Sequence, residues 1–294
     1  PFWIKRRDLG TQRTAAFFRG LSSAMQRAAL ICLCGIAPLA SGACEDHFAS
    51  GHIPSVKGTF LCRKKGREHF YATVYDTSLK CPVFSAFHIL GSQQKKDHYA
   101  RRGFKLDPDV DADGQAHQDS KAFNGRDKGH LAPSEAFSWD QSDGGPWELT
   151  YIMTNVAPQG SYFNEHPWAM IEGHVRDWAA NTGRNAYVIT GVIQRSGDSG
   201  PMMIDGVAVP THFYKAVCDL DAGTSFVSIG TNDLHCTECG MPNMQPVKKV
   251  TDMLGYTLFP TGCKTSTVDP DHWGWSSFVE KVASPSNVTA RLII

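Results

Sequence analysis

His130 lies in R-D-K-G-H-L-A-P-S-E-A-F at residues 126–137, after a glycine and before an Ala-Pro turn, where neither a helical nor a strand pattern can be read. A histidine in such a stretch is either solvated loop or a base held toward a substrate. Further along, Asn155 and Gln159 close an expected strand, and Asn164 opens an expected helix that carries Glu172. At about 100° per residue, Glu172 falls roughly 80° round from Asn164 and about two turns along. An amide oxygen at a helix start and a nearby carboxylate suit a hard divalent cation that keeps most of its waters. A neutral histidine facing them could deprotonate a water molecule.

The elements that must position these groups follow from patterning. Residues 69–78 alternate apolar and polar with aromatic and β-branched side chains, a strand, and residues 81–89 are its partner after a short turn. Residues 95–119 are polar and irregular, a long loop. Residues 147–159 read as a buried strand that stops at Ala157-Pro158. In residues 164–181, Trp168, Ile171, Val175 and Trp178 fall at i, i+3, i+7 and i+10, a helix with Asn164 at its N-cap and Pro167 in its first turn. Residues 185–193, 207–219 and 224–232 read as strands, and residues 247–254 and 275–282 as short helices. Strands outnumber helices without regular alternation, which is an α+β domain built on an antiparallel-rich central sheet.

Composition bounds the setting. The chain has 294 residues, 41% of them apolar, enough for a proper core. Residues 25–43 hold Arg27, an apolar stretch too short to span a bilayer, and then small residues, the pattern of a secretory signal peptide. Residues 1–24 then read as upstream translated sequence and residues 44–294 as one domain, secreted and without a membrane span. Six of the 29 basic residues and one of the 29 acidic ones precede Cys44, which leaves 23 against 28, net −5. A net acidic domain argues against a non-specific nucleic-acid binder unless positive charge is concentrated at a site or supplied by a metal. Cys32 and Cys34 aside, seven cysteines remain, which secretion turns toward disulfides with one left over. Cys236 and Cys239 form a C-x-x-C with no second pair to complete a zinc site. Residues 287–289 are a glycosylation acceptor. Asp109, Asp111 and Asp113 imitate the start of a calcium loop, but Ser120 occupies its twelfth position, so the segment reads as an acidic loop.

D-K-G-H-L-A-P at 127–133, T-N-V-A-P-Q at 154–159 and F-N-x-x-x-W-x-x-x-E at 163–172, in that order, resemble the DNA/RNA non-specific endonuclease family. Its pattern is D-R-G-H, T-N-x-x-P-Q, and an Asn eight residues before a Glu. R-G-F-K-L-D-P at 102–108, Y-V-I-T-G at 187–191 and V-P-T-H-F-Y-K at 209–215 extend the resemblance over most of residues 71–263. Y-A-T-V-Y-D-T-S at 71–78, P-V-F-S-A-F at 82–87, and Cys218 with Cys263 are most similar to the secreted animal members.

The resemblance implies a ββα-metal unit and a Mg²⁺-dependent hydrolase of DNA and RNA, with Mn²⁺ a possible substitute. It makes His130 the general base, Asn164 the direct ligand of a single metal ion, and Glu172 the holder of waters around that ion. Arg102 then stabilises the charge of the transition state, Asn155 supports the site as a catalytic-unit residue, and Lys128, Arg126 and Gln159 contact the substrate. It also pairs Cys218 with Cys263. Lys128 stands where the family has arginine, which keeps the charge and loses the planar fork. The alternative is a catalytically weak or silent secreted nucleic-acid-binding or interaction module on the same fold.

Overall fold

The computed structural model describes residues 44–93, 101–140, 142–194, 200–234 and 242–283. Its frame is a six-stranded, fully antiparallel sheet in the order β1 (Thr59–Lys65), β2 (Glu68–Asp76), β3 (Cys81–Ile89), β6 (Ala186–Ile193), β9 (His212–Asp219) and β10 (Thr224–Thr231). Side chains alternate across its faces because successive residues of a strand point opposite ways. Phe213 and Val217 of β9 join Phe87, Val188 and Phe226 on one face, under Trp168, Ile171 and Val175 of the main helix. Tyr214, Ala216 and Cys218 face the other way, onto Phe48, Val250, Leu258 and Phe259. The two faces thus carry two cores, and the sheet is the layer between them. The α+β class read from patterning is the class observed.

Between β3 and β6 the chain builds a smaller unit. β4 (Asp127–His130) pairs antiparallel with β5 (Val156–Gln159), with His130 opposite Val156 and Asp127 opposite Gln159. A helix follows at once: α1 (Ser161–Phe163), a π-turn (Asn164–Trp168), then α2 (Ala169–Thr182), which ends at Gly183 in the left-handed conformation. Two strands and a helix make a ββα unit. A hairpin of β7 (Met202–Ile204) with β8 (Val207–Val209), helix α3 (Val247–Leu254) and helix α4 (Trp275–Ala283) complete the strands and α-helices of the described residues, which short 3₁₀ turns connect.

Several expectations are corrected. Residues 147–155 are not strand but short 3₁₀ turns at Glu148–Thr150 and Met153–Asn155, joined at Ile152, which makes a single bridge to Lys105; the strand proper is β5. Their burial comes from plugging the core, and a short apolar run cannot distinguish this from a strand. The strand expected over 207–219 breaks at Pro210, which has no N–H for a ladder. The helix begins at Ser161, so Asn164 is not its N-cap; it opens the π-turn, where its own N–H donates to the Gly160 carbonyl at 2.8 Å. Pro167 lacks an N–H and crowds the carbonyl four residues back, which explains the widened turn. His130 ends a strand rather than sitting in a loop. β1, β4 and β7 went unread.

Cys218 is joined to Cys263, and Cys44 to Cys62, while Cys81 is a buried free thiol. The expected signal segment at 25–43, the upstream residues 1–24, the C-x-x-C at 236–239 and the acceptor at 287–289 lie outside the described residues.

Candidate active site

The β4 end, the π-turn and α2 open onto one cleft of 1480 Å³, lined among others by His130, Asn164, Glu172, Asp127, Arg102, Lys128 and Arg126. The sequence separates these residues by up to 70 positions. The hairpin and helix bring them together.

His130 is half-buried, its ring 5.1 Å from Phe104 and edge-on to Tyr151 at 4.9 Å. Its Nε2 has no hydrogen-bond partner among the described residues. Burial, reinforced by the charge of Arg101, lowers its pKa to about 4, which keeps the ring neutral at neutral pH and makes it a weak base until an anion stands beside it. Gly129 before it is obligatory for packing: a Cβ there would lie 2.0 Å from Oε1 of Gln159.

Asp127 organises the metal-ligand candidate. Its carboxylate accepts from Ser161 Oγ and from Asn164 Nδ2, each at 2.8 Å. With the amide nitrogen engaged, the Asn164 oxygen is left for the cleft. Glu172 is held from below by Lys215, whose Nζ is 3.4 Å from its Oε1. Burial raises the Glu172 pKa, and the Lys215 and Arg176 charges oppose that rise. Arg176, one turn on from Glu172, is itself paired with Glu135. Arg102 is at the rim, 41% exposed, with its guanidinium over Trp147 and ion-paired to Asp143 at 2.9 Å and Glu148 at 3.1 Å. Lys128 lies over Phe123 and Phe104, and Arg126 donates to the Ala122 and Asn124 carbonyls.

Two expected site residues are elsewhere. Asn155 is fully buried and has no capacity left for a substrate. It accepts from Ser85 Oγ and the Ala132 N–H, and donates to the Ala132 and Thr150 carbonyls. It is a tie that fixes the chain just past His130, so it supports the site from inside the fold and does not line the cleft. Gln159 is buried behind Gly129 and does not reach the cleft, so it is not a substrate contact. Conversely, Asp127 and Lys215 received no role from the sequence. A lysine inside the apolar run F-Y-K-A-V at 213–217 was the available signal for the second.

The donor set fits a cation with few protein ligands. Among the described residues no three His, Cys, Asp or Glu side chains converge as a metal cage. One neutral amide oxygen and one carboxylate leave room for water, as a small hard divalent ion requires.

A ββα unit with a neutral histidine on its strand and an amide and carboxylate on its helix defines a class, and the comparisons agree with it. The profile described as "DNA/RNA non-specific endonuclease" matches residues 54–289, and the chain belongs to that family. It is 28% identical over 167 residues to mitochondrial endonuclease G of Homo sapiens, covering 53% of this chain and 54% of that one. It is 27% identical over 192 residues to a salivary endonuclease of Lutzomyia longipalpis, covering 56% and 46%. The chain thus spans about half the length of these curated relatives. A solved structure titled as the EndoG/EndoGI complex shares the fold, with a TM-score of 0.57 and 22% identity over 74% of this chain and 92% of that one.

Proposed function

We propose that the protein is an endonuclease that hydrolyses phosphodiester bonds of DNA and RNA with a divalent cation, Mg²⁺ or Mn²⁺ in its place. The observation that carries this reading is His130: a neutral ring with an unpartnered Nε2, on the wall of the cleft that also receives the Asn164 oxygen and the Glu172 carboxylate. The family's divalent-metal dependence supports it. Asn164 would hold the cation and Glu172 would hold water beside it. When bound, the cation supplies positive charge to a non-bridging oxygen and to the leaving 3′ oxygen.

The chain's own groups do the rest. His130 takes the proton from the attacking water; a phosphate anion beside the ring raises its basicity from the value burial imposes. Arg102 swings from its carboxylate partners onto the phosphate, and Lys128 and Arg126 grip neighbouring phosphates. Contacts of this kind position a backbone without reading bases, so little sequence preference is expected. They also reconcile the net acidic residues 44–294 with a polyanionic substrate, since positive charge is gathered at the site.

We further infer secretion. The two disulfides suit an oxidising compartment, and a relative named as salivary supports it, while other relatives are named as mitochondrial. Among the described residues no helix is long and apolar enough to cross a membrane.

Purified protein should nick supercoiled plasmid with Mg²⁺ and stop with EDTA. Cutting undiminished by chelator removes the metal from the mechanism. Plasmid binding without nicking under any divalent ion is the silent-module outcome.

A further inference from the structure

Lys215 is a buried cation to which the proposed reaction gives no step. It sits on β9, 1% exposed, directly opposite Thr190 of β6, and its Nζ donates to Thr190 Oγ1 at 2.6 Å. The ammonium lies 5.2 Å from the Trp168 ring and 5.6 Å from that of Phe87, with Glu172 Oε1 3.4 Å away and the like charge of Arg176 nearby. Phe87, Ile89, Val175, Val188 and the Arg176 side chain line a small void beside the pair. An ammonium in such apolar company does not earn its place through stability: exchanging a buried ion pair for apolar side chains is often neutral or stabilising. What the pair does accomplish is geometric. Glu172 comes from α2, Lys215 from the sheet beneath it, and the carboxylate between them opens on the cleft.

We propose that Lys215 is a positioning residue that holds the Glu172 carboxylate in one orientation at the cleft floor, with Thr190 fixing the ammonium in turn. One oxygen of Glu172 is occupied by Lys215, which leaves the other to act in the site. The inference rests on the nuclease reading for its kinetic consequence and is independent of it for the coupling itself.

The test is a double-mutant cycle of Lys215→Met, Glu172→Gln and the pair, with Thr190→Val as the milder variant that keeps the shape of β6. Lys215→Met is expected to lower kcat 10- to 100-fold, the usual cost of losing a group that orients a metal-site residue. KM for an oligonucleotide should move less than about threefold, because Lys128 and Arg126 are untouched. In the Glu172→Gln background the same change should cost nothing further, because the group it acts through is already gone. Thr190→Val should show the same pattern at a few-fold. Thermal melts without divalent ion provide the second readout: the shifts of the two single variants should be non-additive.

Equal kcat losses in both backgrounds overturn the proposal, since they mark a merely structural lysine. So does a folded Lys215→Met protein with wild-type kcat, and so do additive melting shifts. If Lys215→Met does not fold, the Thr190→Val cycle decides by the same criteria. A wild-type protein that cuts nothing defeats the nuclease reading alone, and the melting cycle still judges the pair.

Discussion

At the scale of single residues, His130 and Asn164 separate two kinds of loss. His130→Ala removes general-base assistance worth roughly 10²- to 10⁴-fold in rate, and its cutting rate on plasmid should fall by that range while the far-ultraviolet spectrum is unchanged. More Mg²⁺ should not help it. Asn164→Ala should be partly rescued by more Mg²⁺, because what it loses is affinity for the ion. Since Asn164 opens a π-turn and is not the N-cap, the stability penalty of a lost cap is not expected for it. Asp127→Ala should resemble Asn164→Ala, because Asp127 fixes the Asn164 amide. A measured Mg²⁺ half-saturation equal to wild type in Asp127→Ala would contradict that orientation. Asn155→Ala should instead lose stability first: it breaks four buried hydrogen bonds at once.

At the scale of elements, the β4–β5 hairpin is the part most sensitive to volume. Gly129→Ala puts a methyl against the Gln159 side chain, with 2.7 Å to its Cβ as well as the short contact to Oε1. Overpacking of this kind costs about 1–3 kcal/mol, and here the strain falls on the residue before the base. The variant should melt lower and cut more slowly, both measurable on one preparation. The Cys218–Cys263 bond ties β9 to the segment after α3 across 45 residues, for which loop entropy gives roughly 4 kcal/mol. A Cys218→Ala/Cys263→Ala protein should lose stability of that order in a urea melt. Non-reducing peptide mapping that recovers both cysteines as thiols would remove the bond.

At the scale of the whole molecule, four histidines link stability to pH, burial lowering the pKa of His88 as well as those of the three named next. His47, His130 and His174 each have a pKa lowered to about 4, chiefly by burial, against an ordinary value of 6.5. Below pH 6.5 the unfolded chain binds protons at these positions and the folded chain does not. Stability should therefore fall as pH drops from about 6.5 toward 4, with no contribution from these groups above 7. Melting temperatures at pH 7.5, 6 and 5 should decline in that order. His47→Gln should flatten the slope without affecting nuclease rate, because His47 is buried and does not line the cleft. A flat profile in the wild type would show that these rings are not held neutral.

Local chemistry determined what could be read in advance. Residues 81–89, read as the partner strand across a short turn, have their observed bounds, and apolar spacing marked α2, because it reports the face that a single element buries. The ordered motifs marked His130, Asn164 and Glu172, and these three share the cleft. Only the tertiary structure decided which polar residues reach it. Asn155 and Gln159 stand within four residues of one another in a motif, and both turn inward: Asn155 ties the Ala132 and Thr150 backbone, and the Gln159 side chain packs over Gly129. Lys215 lies 43 residues from Glu172 along the chain and beside it in space, since α2 crosses the sheet face on which β9 displays it. Patterning records the side of an element a residue occupies; which neighbour waits on that side depends on how the layers close.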